Sequence, residues 1–332
     1  MLNEFRQDLV SGEWVLFATG RSKRPNQNKE EAKRVVQAKA DCPFEDPEKF
    51  GNDVVVTYLN QNQTDWFIKV AKNKFPAVLE GEAGALKNTG PFSVCDAMGM
   101  HEIVIFRDHE RRLDEYQKDD LARIFKIYQE RYIATFDHGS RKYTLIFHNH
   151  GFGAGASISH PHSQIMSIPI LPPDVRRSLL GSEEFYKKNK KRIYDVMLDW
   201  EIEEKKRIVY ENKYFIAFCP FVSKTPYEIR IFPKESHAHF EKMPEEQLGY
   251  LADAVKTSLS KIAKVLHNPD YNFFIHTAPL LETNVDPHQF YTWHIEIVPK
   301  MSLEGAFELG SGIDVNVIDP DEAAKLLREQ EI

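Results

Sequence analysis

At 332 residues with 42% hydrophobic content, the chain carries enough apolar material for one large core or two ordinary ones, which excludes a disordered or fibrous protein. A formal net charge of −7 argues against general affinity for nucleic acid or anionic membranes and points instead to small phosphorylated metabolites held in a local basic pocket. Met1-Leu2-Asn3-Glu4-Phe5-Arg6 lacks the apolar run of a signal peptide, no long uncharged segment exists to span a bilayer, and Cys42, Cys95 and Cys219 are too scattered for a disulfide framework, so a cytoplasmic protein is expected.

The elements repeat. His101-Glu102-Ile103-Val104-Ile105-Phe106 reads as a strand and is followed by a charged turn with His109. A helix comes next, because Leu121, Ile124, Phe125, Tyr128 and Tyr132 recur at helical spacing. A strand from Tyr143 to Asn149 and another from Ser159 to Ile168 complete the unit. Between them lies Gly151-x-Gly153-x-Gly155, which leads into a strand rather than a helix and is expected as a tight phosphate-side turn, not a dinucleotide motif.

Leu171-Pro172-Pro173 ends this unit, and the charged stretch from Arg176 to Lys206 marks the boundary. Its basic run, Lys187 to Arg192, reads as a solvated surface. The second unit repeats the order: Tyr227-Glu228-Ile229-Arg230-Ile231-Phe232, a turn with His237, and a helix carried by Leu248, Leu251, Ala252, Val255, Leu259 and Ile262. Strands from Tyr271 to Thr277 and from Thr292 to Val298 follow. Strand, helix, strand, strand in each half predicts an α+β protein, with mostly antiparallel sheet and a helix packed on one face. The expected half-domains are 1–178 and 195–332.

His160-Pro161-His162-Ser163-Gln164 carries the chemistry. On a strand from Ser159, a period of two places His160, His162 and Gln164 on one face. A neutral imidazole nitrogen attacks phosphorus and holds the group as a phosphoramidate, while an amide donates to a phosphate oxygen without exchanging a proton. The motif therefore predicts nucleotidyl transfer, with His162 as nucleophile.

Together with this strand, the runs Arg6 to Val15, Gly20-Arg21-Ser22-Lys23-Arg24-Pro25 and Asn73-Lys74-Phe75-Pro76-Ala77 resemble the galactose-1-phosphate uridylyltransferase family, a branch of the histidine-triad superfamily. The resemblance covers nearly the whole chain. It implies two tandem histidine-triad-like halves, only the first active, and ping-pong transfer through His162. Gln164 stands where related hydrolases have a third His. A departing sugar 1-phosphate is already a stable anion and needs no proton, so an amide suffices and water is given no acid or base help.

The resemblance further implies that Asn149, Ser157, Arg21, Arg24 and Asn73 bind nucleotide and phosphate. Matched residue by residue, the family's structural zinc ligands become Cys42, Glu45, His109 and His160, with Glu45 replacing a Cys. A second metal is expected among His237, His276, His294 and Glu296, with Glu201 as a loosely matched carboxylate. The implied reaction moves UMP from UDP-glucose to galactose 1-phosphate. Ser163, where galactose-specific relatives have Gly, and the run Phe307 to Asn316, with Asp314 in place of a hexose-contacting Gln, also resemble plant-type ADP-glucose phosphorylase, which transfers AMP to phosphate. A homodimer joined through the C-terminal segment, with Phe307 and Leu309 exposed, is expected by the same resemblance.

Overall fold

The computed structural model describes residues 2–23, 37–81, 84–136, 142–279, 286–301 and 305–332. Strands β1 (Asn3–Gln7) and β2 (Trp14–Ala18) open the chain, followed by β3 (Val54–Leu59), β4 (Trp66–Lys72) and the short β5 (Leu79–Glu80), β6 (Lys87–Thr89) and β7 (Phe92–Val94). The first half then runs β8 (Met98–Phe106), α1 (Lys118–Phe136), β9 (Tyr143–His150) and β10 (His162–Ile168). Helices α2 (Pro173–Asn189) and α3 (Ile193–Glu204) fill the charged boundary stretch. The second half runs β11 (Ile208–Glu211), β12 (Phe215–Phe218), β13 (Ile229–Pro233), α4 (Glu245–Val265), β14 (Tyr271–His276) and β15 (His294–Pro299). Helix α5 (Ala306–Ser311), β16 (Asp314–Asn316) and α6 (Pro320–Arg328) follow.

The α+β class and the repeated strand, helix, strand, strand order are present in both halves. Helix α1 buries Leu121, Ile124, Phe125, Tyr128 and Tyr132 along one stripe, and Asp119 and Asp120 sit at its positive N-terminal end. Helix α4 does the same with Leu248, Leu251, Val255, Leu259 and Ile262. The two helices pack against each other and against one face of the sheet, where their stripes meet Val104, Ile146, Ile165, Phe273, Ile275 and Ile295 in a single core.

That sheet has 11 strands in the order β11-β12-β13-β15-β14-β9-β10-β8-β4-β3, with β5 added beside β8. The halves share it: β9 of the first pairs antiparallel with β14 of the second, Phe147 opposite Phe274. Strands β1 and β2 form a separate small sheet with β16, so the chain's opening strands pair with a segment near its end.

Register decides what faces the side opposite α1 and α4. Gln164 lies opposite Ile103 and Phe147, Phe147 opposite Phe274, Phe274 opposite Glu296, and Glu296 opposite Arg230. Side chains alternate along each strand, so His162, Gln164, Asn149, Asn272, His276, His294, Glu296 and Arg230 share one face.

Candidate active site and metal centre

Strand β10 begins at His162, not at Ser159 as the sequence predicts. Pro161, which has no N–H for a ladder, precedes the first paired residue. The His160 ring, ahead of the strand, turns into a buried cluster with Cys42 and His109.

His162 donates from Nδ1 to the His160 carbonyl at 2.8 Å, which leaves the lone pair on Nε2. Burial lowers its pKa, so the ring is neutral and nucleophilic at physiological pH. The Phe44 ring packs edge-on at 5.0 Å between centroids and holds the imidazole in place. Behind the strand, Ser163 points the other way: its Oγ lies 2.5 Å from the Tyr128 hydroxyl and 3.1 Å from His148 Nδ1, tying β10 to α1 and β9.

Two carboxamides flank His162. Gln164 follows on the same face, its Oε1 held 2.8 Å from His101 Nε2. One step beyond the last paired residues of β9 and β10, Ser163 opposite His148, Asn149 comes to lie across from His162. Its Oδ1 accepts from Asn272 Nδ2 at 2.8 Å, and the same Asn272 amide donates to the Ala154 carbonyl. In both cases the amide oxygen is committed and the NH2 is left as the donor, which suits phosphate oxygens. His101 and Asn272 were missed from the sequence; the only signal for them is that each occupies a strand position facing the motif.

The glycine turn closes against the second half. Gly151 has φ +84°, and a Cβ there would fall 1.8 Å from Asp270 Oδ1. The Gly153 N–H donates to Asp270 Oδ2 at 2.7 Å, so that donor is committed to a carboxylate.

The remaining expected ligand contacts are spread along the chain. Asn73 follows β4, its Oδ1 accepting from the Phe75 N–H at 2.9 Å and its Nδ2 reaching the His101 ring. Arg21 lies half-buried in the 3-10 turn Thr19–Lys23 that continues from β2. Ser157 is exposed on the loop before His160, and Arg24 lies outside the described residues.

The predicted zinc ligands do converge. His160 Nε2 donates to the Phe106 carbonyl at 2.6 Å and His109 Nε2 to the Gln37 carbonyl at 2.7 Å, so both Nδ1 atoms carry lone pairs. Those two acceptors face each other at 3.1 Å, with Cys42 Sγ at 3.5 Å from His160 Nδ1. Glu45 Oε1 lies 2.9 Å from His109 Nδ1 and 4.0 Å from His160 Nδ1. This oxygen is buried without a hydrogen-bond partner, while Oε2 pairs with Arg107 at 3.2 Å. Neutral acceptors packed this closely repel one another unless a cation sits among them, and the spacings approach the roughly 3.3–3.6 Å edges of a tetrahedral zinc site. The donor set fits a structural metal.

The second cluster differs. His276 and His294 approach Glu296 at 3.6 and 3.5 Å, but Arg230 Nε lies nearer, 3.0 Å from Glu296 and 2.9 Å from Glu228. Against the cost of burial, the Arg230 charge holds the Glu296 carboxyl well below the usual carboxylate range. His276, His294 and Glu296 lie close enough together to hold a metal, but a divalent cation there would confront the Arg230 guanidinium that already neutralises the carboxylate, so this donor set fits a metal less well than the first. His237 stands apart, 42% exposed and 3.8 Å from Glu235. Glu201 is buried against Arg207 at 3.1 Å.

Comparison with known proteins agrees with this geometry. The family model described as galactose-1-phosphate uridyl transferase, N-terminal domain, matches residues 1–172. The chain belongs to the galactose-1-phosphate uridyl transferase family. A HIT domain model matches residues 201–288, so the histidine-triad kinship of that family is detected in the second half. Among curated relatives, an ADP-glucose phosphorylase of Arabidopsis thaliana is 32% identical, with 98% of this chain and 92% of that protein aligned. A galactose-1-phosphate uridylyltransferase of Thermotoga maritima is 27% identical over 99% of both. The crystal structure of an Arabidopsis thaliana ADP-glucose phosphorylase with bound ADP-glucose superposes with a TM-score of 0.83 at 29% identity, covering 100% of both chains. Members of the galactose-1-phosphate uridyl transferase family are transferases, and this chain is an enzyme of that kind. Among the described residues, no helix is long and apolar enough to cross a membrane.

Proposed function

We propose that this enzyme moves UMP from UDP-glucose to a hexose 1-phosphate, galactose 1-phosphate, through a covalent uridylyl-His162 intermediate. The observation that carries the reading is the His162 Nδ1–H bonded to the His160 carbonyl, which leaves Nε2 as the only lone pair on the ring. Nε2 attacks the α-phosphorus, a P–N bond forms, and the P–O bond to glucose 1-phosphate breaks with both bonding electrons leaving on oxygen. The amide groups of Gln164 and Asn149 donate to the phosphoryl oxygens as charge builds. In the second half-reaction a phosphate oxygen of the acceptor attacks, and the electron pair returns to Nε2. Arg21, Arg24, Asn73 and Ser157 complete the substrate contacts in this reading.

A second reading, transfer of AMP from ADP-glucose to inorganic phosphate, is favoured by the full-length similarity to the plant ADP-glucose phosphorylase. The nucleophile and its chemistry are unchanged. Incubation with UDP-glucose or ADP-glucose followed by intact mass separates them: a UMP adduct supports the first, an AMP adduct alone the second, and no adduct with either defeats both.

Zinc is the metal we assign to Cys42, Glu45, His109 and His160. Bound there, it supplies a structural clasp between the segment around Cys42 and the strand that carries the nucleophile. A cytoplasmic homodimer, its interface including the exposed Phe307 and Leu309 of α5, completes the reading, with 1–178 and 195–332 as the two units of the repeat.

A further inference from the structure

Four parts of the molecule hold polar groups whose purpose the reaction does not explain: the Arg230 cluster, the buried Glu241 beside His239, the Gly151 turn, and the contact between Asn73-Lys74-Phe75-Pro76-Ala77 and His101. The last bears directly on the reacting atoms. His101 sits on β8, two residues before Ile103, which lies opposite Gln164. Its ring reaches across to the Gln164 carboxamide, with Nε2 to Oε1 at 2.8 Å. The other ring nitrogen is spoken for: the backbone N–H of Ala77 donates to His101 Nδ1 at 3.2 Å.

These two contacts fix the proton. A nitrogen that accepts from a backbone N–H carries no hydrogen, so the ring proton sits on Nε2 and is donated to Gln164. Asn73 Nδ2, also a donor, lies 3.1 Å from the same Nε2 and is left unsatisfied in this tautomer, but the opposite tautomer would set Nδ1–H against the Ala77 N–H and a bare Nε2 against the Gln164 oxygen, two conflicts instead of one. With Oε1 bound, the Gln164 NH2 is the end left to face the phosphoryl group. If the amide were rotated by half a turn, its oxygen would meet a phosphate oxygen and the NH2 would meet the His101 donor.

We infer that His101, held in one tautomer by the Ala77 N–H, is a positioning residue that locks Gln164 with its donor end toward the transferred phosphoryl group. The Asn73 to Ala77 segment is thereby a tautomer clamp as well as a ligand-binding loop. The inference rests on the nucleotidyl-transfer reading above and adds the orientation of its amide.

The test is a double-mutant cycle on the single-turnover rate of loading His162 from the nucleotide sugar, followed by intact mass. His101→Leu removes the donor and should slow loading about 10- to 100-fold, with a much smaller change in nucleotide-sugar affinity. In a Gln164→Ala background the same substitution should cost less than about 2-fold, because there is no amide left to orient. His101→Gln, which keeps an N–H near the Nε2 position, should recover most of the rate, whereas His101→Asn should not; this pair carries the test should His101→Leu fail to fold. Losses that multiply in the double variant, or a His101→Leu enzyme that loads at the wild-type rate, would overturn the inference. A wild-type enzyme that forms no adduct fails the parent reading, recognisable because it precedes any variant, and removes this one with it.

Discussion

His162 and His294 occupy corresponding places in the two halves, and each sends its Nδ1–H to the carbonyl two residues before it, at 2.8 Å to His160 and 3.0 Å to Thr292. Both rings thus present Nε2 on the same face of one sheet, though the His294 Nε2 already faces Glu296 Oε1 at 3.5 Å. Their neighbours separate them: Gln164 follows the first and is neutral, whereas Glu296 follows the second and is clamped by Arg230. Anionic phosphate is repelled by a carboxylate where it is welcomed by an amide. Peptide mapping of enzyme loaded from its nucleotide sugar is expected to find the nucleotidyl group on His162 alone. His162→Gly should abolish the adduct while costing only ~1 kcal/mol of stability from its place at the start of a strand.

Metal content is a second measurable consequence. Purified enzyme is expected to carry one zinc per chain, held by Cys42, Glu45, His109 and His160. Cys42→Ser or chelation should release it. Because a metal bound only by the folded state stabilises that state, its removal should cost at least ~2 kcal/mol, on the order of 5 °C in Tm for a domain of this size. Elemental analysis with thermal unfolding checks both; a metal-free enzyme with an unchanged Tm would sink the assignment.

Arg230 should behave as a structural cation. Arg230→Met leaves the buried Glu228 and the largely covered Glu296 without their counter-charge, a change expected to destabilise by about 3–5 kcal/mol in urea unfolding. Combining it with Glu228→Gln and Glu296→Gln should recover much of the loss. Zinc stoichiometry should stay at one per chain throughout.

The buried Glu241 gives a pH signature. Burial pushes its carboxyl up to about 7, and both of its oxygens lack hydrogen-bond partners. The folded state therefore holds the proton more tightly than the unfolded chain does. That stability is fully present below the unfolded pKa, ~4.3, and is lost as pH rises through about 7. Glu241→Gln removes the titration, so it should gain up to ~3 kcal/mol over wild type at pH 8 and little at pH 4. Urea midpoints measured across that range decide it; parallel curves for the two proteins would refute it.

Much of the fold was legible because it is local. Helical spacing of Leu121, Ile124, Phe125 and Tyr128 and the matched strand runs gave the order of elements in both halves. The start of β10 was not, since Pro161 breaks an otherwise continuous alternation. His162, Gln164 and the zinc ligands were readable from motif and resemblance, whereas His101, Asn272 and Arg230 were not. Each of those three meets a partner 63 or more residues away in the chain, His101 with Gln164, Asn272 with Asn149 and Arg230 with Glu296, which strand register brings near. Nothing in a single run of residues announces that β9 will seam to β14.

Strand β16, near the carboxyl end, lies parallel to β2, with Asp314 beside Val15 and Asn316 beside Phe17. The Asn316 side chain also donates to the Ser223 carbonyl and is wholly buried. Because β2 continues directly into the turn that carries Arg21, β16 tethers the strand from which that turn springs. Breaking the pairing of Asp314–Asn316 with β2 would loosen a guanidinium encoded almost three hundred positions upstream.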